Sequence, residues 1–115
     1  LLEGGRTGAE VAQARAVSQA ASERLAEFDS QLSVEVRQRA LELESAVASV
    51  AAATSGVTAA ADARRAVDER YRSGVIAGIE VTDAEYALLQ AQLDLTRAQA
   101  NVRLAEARLA RALGR

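Results

Sequence analysis

From residue 81 onward the chain repeats a seven-residue pattern without a slip. Val81, Leu88, Leu95, Val102 and Leu109 stand at the repeat, and alanine follows each by three: Ala84, Ala91, Ala98, Ala105 and Ala112. A large-then-small seam of this kind lets helices approach closely in a coiled coil. A weaker apolar stripe runs through Tyr86, Leu89, Leu93, Ala100, Leu104 and Ala107. At about 100° per residue the two stripes fall on nearly opposite sides of one helix. Glu80, Asp83, Gln90, Asp94, Arg97, Asn101 and Arg108 form one polar face between them. Glu85, Gln92, Gln99, Arg103 and Glu106 form the other. The pattern predicts a helix over about 81–113 with neighbours on two sides, as in the wall of a ring or barrel.

The first arm is longer and its pattern looser. Val36, Leu43, Val50 and Val57 hold a heptad, with Ala40, Val47 and Ala61 at the accompanying spacing; earlier apolar positions are Val11, Leu25, Phe28 and Leu32. Leu1-Leu2-Glu3-Gly4-Gly5-Arg6 reads as a loop by its paired glycines, and Thr7-Gly8-Ala9-Glu10 as a capping box, so the predicted helix covers about 7–72. It would be about 65 residues and about 100 Å long. Its weak point is Thr54-Ser55-Gly56. In a rival three-helix bundle, Gly56 would separate two helices.

Between the arms, Gly74 and Gly78 interrupt the helical run among Val75, Ile76, Ala77 and Ile79, predicting a tight tip over about 73–80. Glu80 and Asp83 would sit in the first turn of the second helix, where its dipole favours negative charge. Thr82-Asp83-Ala84-Glu85 fits a second capping box. The expected fold is all-α: a long antiparallel coiled-coil hairpin with unequal arms. Folding at about residue 77 brings Leu113 and Arg115 opposite residues near 40, leaving about 7–37 without a partner.

Composition narrows the function classes. The 115 residues include no Pro, Cys, Met, His or Trp, and only 3% are aromatic. Only glycine breaks helices here, and large side chains for a globular core are scarce. A net charge of −2 gives no electrostatic footprint for nucleic acid. Without His or Cys a nucleophile has no ordinary acid/base partner, and Glu42 and Glu44 lie on different helix faces, so no enzyme is expected. No cofactor or metal site is expected either. Gly4-Gly5 lacks the surroundings of a phosphate loop. No run of 18 apolar residues occurs, so no transmembrane helix is expected. The lack of an initiator Met or a signal-peptide pattern suits a piece of a longer protein.

Three landmarks, in order, resemble the C-terminal periplasmic hairpin of outer-membrane efflux proteins, the TolC-like channel family. The opening Leu1-Leu2-Glu3-Gly4-Gly5-Arg6 resembles the family's L-F-D-G-G-R step from barrel to periplasmic helix. Tyr71-Arg72-Ser73-Gly74-Val75 followed by Glu80-Val81-Thr82-Asp83-Ala84 resembles its Y-x-x-G-x(5)-[DE]-V-L-D-A tip. Arg111-Ala112-Leu113-Gly114 resembles its A-L-G close. Leu2, Glu3 and Thr82 depart from the usual Phe, Asp and Leu, and Ala77-Gly78 is smaller than many family tips.

The resemblance implies a homotrimer whose helices form a periplasmic tunnel, held in the outer membrane by strands outside this stretch. It implies a periplasmic adaptor docking at Ser73, Gly74, Val75 and Ile76, an inner-membrane transporter as further partner, and Glu80 and Asp83 ringing the channel mouth. Cargo and pump class (multidrug, metal or protein secretion) stay open. Gly74 also reads as a helix C-cap, which is compatible with docking. Arg64, Arg65, Arg70 and Arg72 read as a solvated face complementing the first helix's C-terminal dipole, with adaptor contact as the alternative. Two other functions compete. One is the hairpin of an adaptor itself, whose flanking lipoyl-like β segments find no match in the opening and close here. The other is an unrelated coiled-coil scaffold, against which the two seams on one helix argue.

Overall fold

The computed structural model describes residues 2–115, with side chains from residue 4 onward. Two helices account for almost all of it: α1, Leu2–Arg72, and α2, Gly78–Ala112. No strand occurs among the described residues. The chain divides into two units, residues 1–37 and residues 38–115. The second unit is an antiparallel helical hairpin; the first is the opening half of α1.

The helix begins earlier than the glycine pair predicts. Leu1 lies outside the described residues, but Gly4, Gly5 and Arg6 are already helical, and Thr7 sits inside the helix instead of capping it. Neither glycine takes a positive φ. With no proline nearby, the Ala-rich sequence that follows outweighs two unfavourable glycines. Arg6 and Glu10, 3.5 Å apart at i,i+4, add an exposed ion pair worth a few tenths of a kcal/mol.

α1 also runs unbroken through Gly56, so the three-helix alternative falls. A Cβ at Gly56 would meet nothing within 4 Å. Glycine here thus costs about 1 kcal/mol relative to alanine, with no close packing in this chain to offset it.

The tip is shorter than expected and is closed by a Schellman motif. Gly74 adopts φ +73°, the left-handed region open to glycine. Its N–H donates to the Tyr71 carbonyl (2.9 Å), and the Val75 N–H donates to the Arg70 carbonyl (3.0 Å). These are the two bonds by which such caps satisfy the last carbonyls of a helix. Ala77 is extended and serves as N-cap of α2 without any side-chain cap. α2 therefore starts at Gly78, three residues before the expected Val81.

The capping box predicted at Thr82 does not form. Thr82 lies inside α2, and its hydroxyl donates back to the Gly78 carbonyl (3.4 Å). Of the two acids, only Glu80 is in the first turn. Asp83 belongs to the second turn, where the dipole has largely faded.

Packing in the hairpin follows the α2 heptad. Val81, Ala84, Leu88, Ala91, Leu95, Val102, Leu109 and Ala112 are half-buried, and Ala98 and Ala105 are fully buried. On α1 the large positions are as predicted: Val36, Leu43, Val50 and Val57 are half-buried. The accompanying positions differ. Ala40 and Val47 are exposed, and burial falls one residue earlier, at Arg39, Ala46, Ala53 and Ala60; Ala61 shares in it. From Leu43 to Ala60, α1 thus presents the same repeat as α2, a large residue followed three later by a small one; Val36 is followed instead by Arg39.

Two pairs of groups report the register of the hairpin. Arg64 meets Glu85 (Nη2 to Oε1, 3.3 Å), and the Arg108 charge acts on Glu42. Both pairs centre on Gly74–Val75. The reversal therefore lies two to three residues before the expected residue 77, because the left-handed turn is at Gly74 and not at Gly78. α2 ends as α1 does: Gly114 has φ +78°, with Gly114 N–H donating to Arg111 and Arg115 N–H to Ala110.

Every described side chain from residue 4 to 35 is exposed, including Val17, Leu25, Phe28 and Val34. One sequence-based exclusion is also modified. α1 does contain an 18-residue window with mean hydropathy of 1.2, enough to cross a membrane by length and composition alone. Between Ala46 and Ala63 the only charge is Asp62. The same stretch carries the half-buried seam residues Val50, Ala53, Val57 and Ala60, so its apolar character serves the hairpin.

Candidate functional site

The candidate site is the tip, and its parts follow from the Gly74 turn. Chain reversal within residues 73–77 leaves few backbone groups to bury, and it sends successive side chains in different directions. Val75 and Ile79 point outward, 67% and 66% exposed, while Ile76 is half-buried. Ser73 is exposed but engaged: its hydroxyl donates to the Glu69 carbonyl at 2.9 Å. The Tyr71 ring lies beside Gly78, 3.8 Å from where a Cβ would stand. Of the four residues expected at the docking surface, Gly74 sets the backbone, Val75 is the open apolar group, Ser73 caps locally, and Ile76 turns partly inward. Ile79 and Tyr71 complete the apolar surface. The sequence placed Ile79 among the apolar residues of the tip, whereas Tyr71 drew notice only as part of the resemblance.

Glu80 and Asp83 are both exposed, three residues apart on one side of α2. Among the described residues neither carboxylate has a side-chain hydrogen bond or ion pair. The two charges are thus free to act on whatever approaches.

Arg64 departs from the solvated-face reading. It stands seven residues after Val57, at a seam position, and is half-buried. Its guanidinium bridges to Glu85 across the hairpin and approaches Asp68 on its own helix (3.8 Å); its Nε is shielded from solvent without a hydrogen-bond partner. Arg65 is exposed and pairs with Asp62 at 3.1 Å. Arg70 and Arg72 occupy the last turn of α1, where positive charge complements the dipole.

At the other end of the hairpin, Arg39 donates to both carboxylate oxygens of Glu42 (3.0 and 3.3 Å), with Gln38 at 3.5 Å. The Arg39 hydrogen bond holds the Glu42 carboxyl below its ordinary range, against a smaller opposing effect of desolvation; the Arg39 and Arg108 charges act in the same downward direction. No group of three or more metal-ligating side chains occurs among the described residues.

An antiparallel coiled-coil hairpin with a closed seam on one side of α2, a bare apolar stripe on the other, and a glycine-capped apolar tip is a class of structural helical element, without catalytic apparatus. The chain belongs to the outer membrane efflux protein family, whose model matches residues 1–115. No curated protein and no solved structure matches it. Membership makes this a transport protein and not an enzyme, associated with the outer membrane and facing the periplasm. It also sets aside the adaptor and unrelated-scaffold alternatives.

Proposed function

We propose that this single hairpin is a periplasmic tunnel segment of a trimeric outer-membrane efflux channel, and that its tip docks a periplasmic adaptor. The observation that carries this reading is the second apolar stripe of α2. Tyr86, Leu89, Leu93 and Leu104 are 45–69% exposed while the opposite face of the same helix is closed against α1. A helix with one face packed and another apolar face bare fits a wall in which each helix has two neighbours. The described residues contain no strand, so on this reading the outer-membrane barrel comes from other segments.

Cargo loaded by an inner-membrane transporter would pass through the lumen, and the tip helices would close the mouth until an adaptor engages Ser73, Gly74, Val75 and Ile76. Glu80 and Asp83, in three copies around that mouth, would concentrate negative potential and favour cations.

The test uses photo-crosslinking side chains placed singly at Leu93 and at Val75 in the channel in cells. Leu93 should yield covalent trimers and Val75 an adduct with the adaptor. A protein crosslinked at neither position would sink the assembly and docking claims. For the acids, Glu80→Ala with Asp83→Ala should weaken cation selectivity in planar bilayers. Unchanged selectivity in an assembled double variant would reduce them to helix-end charges.

A further inference from the structure

Halfway along the hairpin, α1 carries several features that weaken a helix, gathered within three turns. Gly56 lacks a side chain and makes no close contact that would require its absence. Ser55 precedes it, and Gly/Ser pairs are among the recognised causes of helix bending. The hydroxyls of Ser49, Thr54 and Thr58 donate to the carbonyls four residues back, of Ser45, Val50 and Thr54, at 3.0, 2.8 and 3.2 Å. Such bonds compete with the backbone N–H for the same carbonyl and favour bending. The seam is also thin at this level, formed by Val50, Ala53, Val57 and Ala60.

α2 carries one such hydroxyl bond at the same height. In the register reported by Arg64–Glu85 and by Glu42 with Arg108, Thr96 lies level with residues 53–54. Its hydroxyl donates to the Gln92 carbonyl at 3.0 Å. Nearer the tip, the Arg64–Glu85 bridge ties the two helices together.

We infer that residues 54–58 of α1, with Thr96 of α2, form a built-in flexure about which the tip half of the hairpin bends as one clamped piece. Bending at a single helix would shear the seam. Softness in both helices at one level lets the pair bend together. Such bending belongs to the hairpin alone and does not depend on what the tip engages.

The chain lacks cysteine, so labels can be placed freely. Spin labels at E44C and A66C, both exposed positions, would stand about 33 Å apart along a straight helix. Pulsed dipolar spectroscopy on the 115-residue chain should give a broad distance distribution with a tail to shorter separations. The variant T54A/G56A/T58A should narrow it. In parallel, G56A alone should slow amide exchange over residues 55–60 by about fivefold, leaving residues 64–70 unchanged. Equal, narrow distributions in parent and triple variant would overturn the flexure and leave Gly56 to be explained by close approach of another chain.

Discussion

Two glycines four residues apart at the tip have opposite tolerances. Gly74 sits at φ +73°, where an L side chain costs about 1–2 kcal/mol, so Gly74→Ala should lower the urea midpoint of the hairpin by a corresponding amount. Gly78 does not have a positive φ, and a Cβ there would make ordinary contact with the Tyr71 ring. Gly78→Ala should therefore raise stability by about 0.4–1 kcal/mol. Equal effects of the two changes would contradict the Schellman geometry. Glu42 supplies a pH dependence of known sign. Its folded-state pKa is lowered by the Arg39 hydrogen bond, so its contribution is present above the ordinary glutamate value of 4.5 and is lost as pH falls through the depressed one. Thermal melts below pH 4.5 should accordingly fall less steeply for Glu42→Gln than for the parent chain; parallel curves would refute the assignment.

Arg64 shows how one residue alters the account of an element. Its guanidinium is half-exposed, so the bridge to Glu85 is worth at most about 1 kcal/mol, and its shielded Nε counts against it. Replacing a partly buried charge at a seam position with an apolar group of similar volume is often neutral or stabilising. Arg64→Leu should leave the denaturation midpoint unchanged or raise it, whereas Glu85→Ala should lower it. A large loss in Arg64→Leu would mean the bridge does more than mark the register. The position was legible, since it continues the series Val36, Leu43, Val50 and Val57 by one more heptad. The large seam positions were equally plain, because a large aliphatic residue recurs there at every seventh place. The small ones were not: the third places after each hold Arg39, Ala46, Ala53 and Ala60 and the fourth Ala40, Val47, Thr54 and Ala61, so alanine occurs in both series and only packing chooses between them. Nor could sequence choose between capping box and helix interior at Thr7 and Thr82, because T-x-x-E occurs in both. Of the candidate site, the tip could be placed to within a few residues from its glycines, and Glu80 but not Asp83 falls in the first turn as expected. Which apolar residues stay outside depended on the handedness of the turn at Gly74.

At the scale of the molecule, the two units differ in what holds them. Residues 4–35 are helical with every side chain exposed, and a helix without packing has little but propensity to hold it. In the isolated monomer, amides there should exchange fast, and those between Leu43 and Val50 slowly. Uniform protection along α1 in a demonstrated monomer would defeat this. In the hairpin itself only Ala98 and Ala105 are fully buried, so no central core nucleates folding. Each pair of heptads instead closes a longer loop than the one before. Arg64 and Glu85 are 21 residues apart. Bringing Glu42 and Arg108 together from an open chain costs about 1 kcal/mol more in loop entropy. Folding should therefore begin at the Gly74 turn and travel outward as a zipper, with the opening end last to form and first to fray.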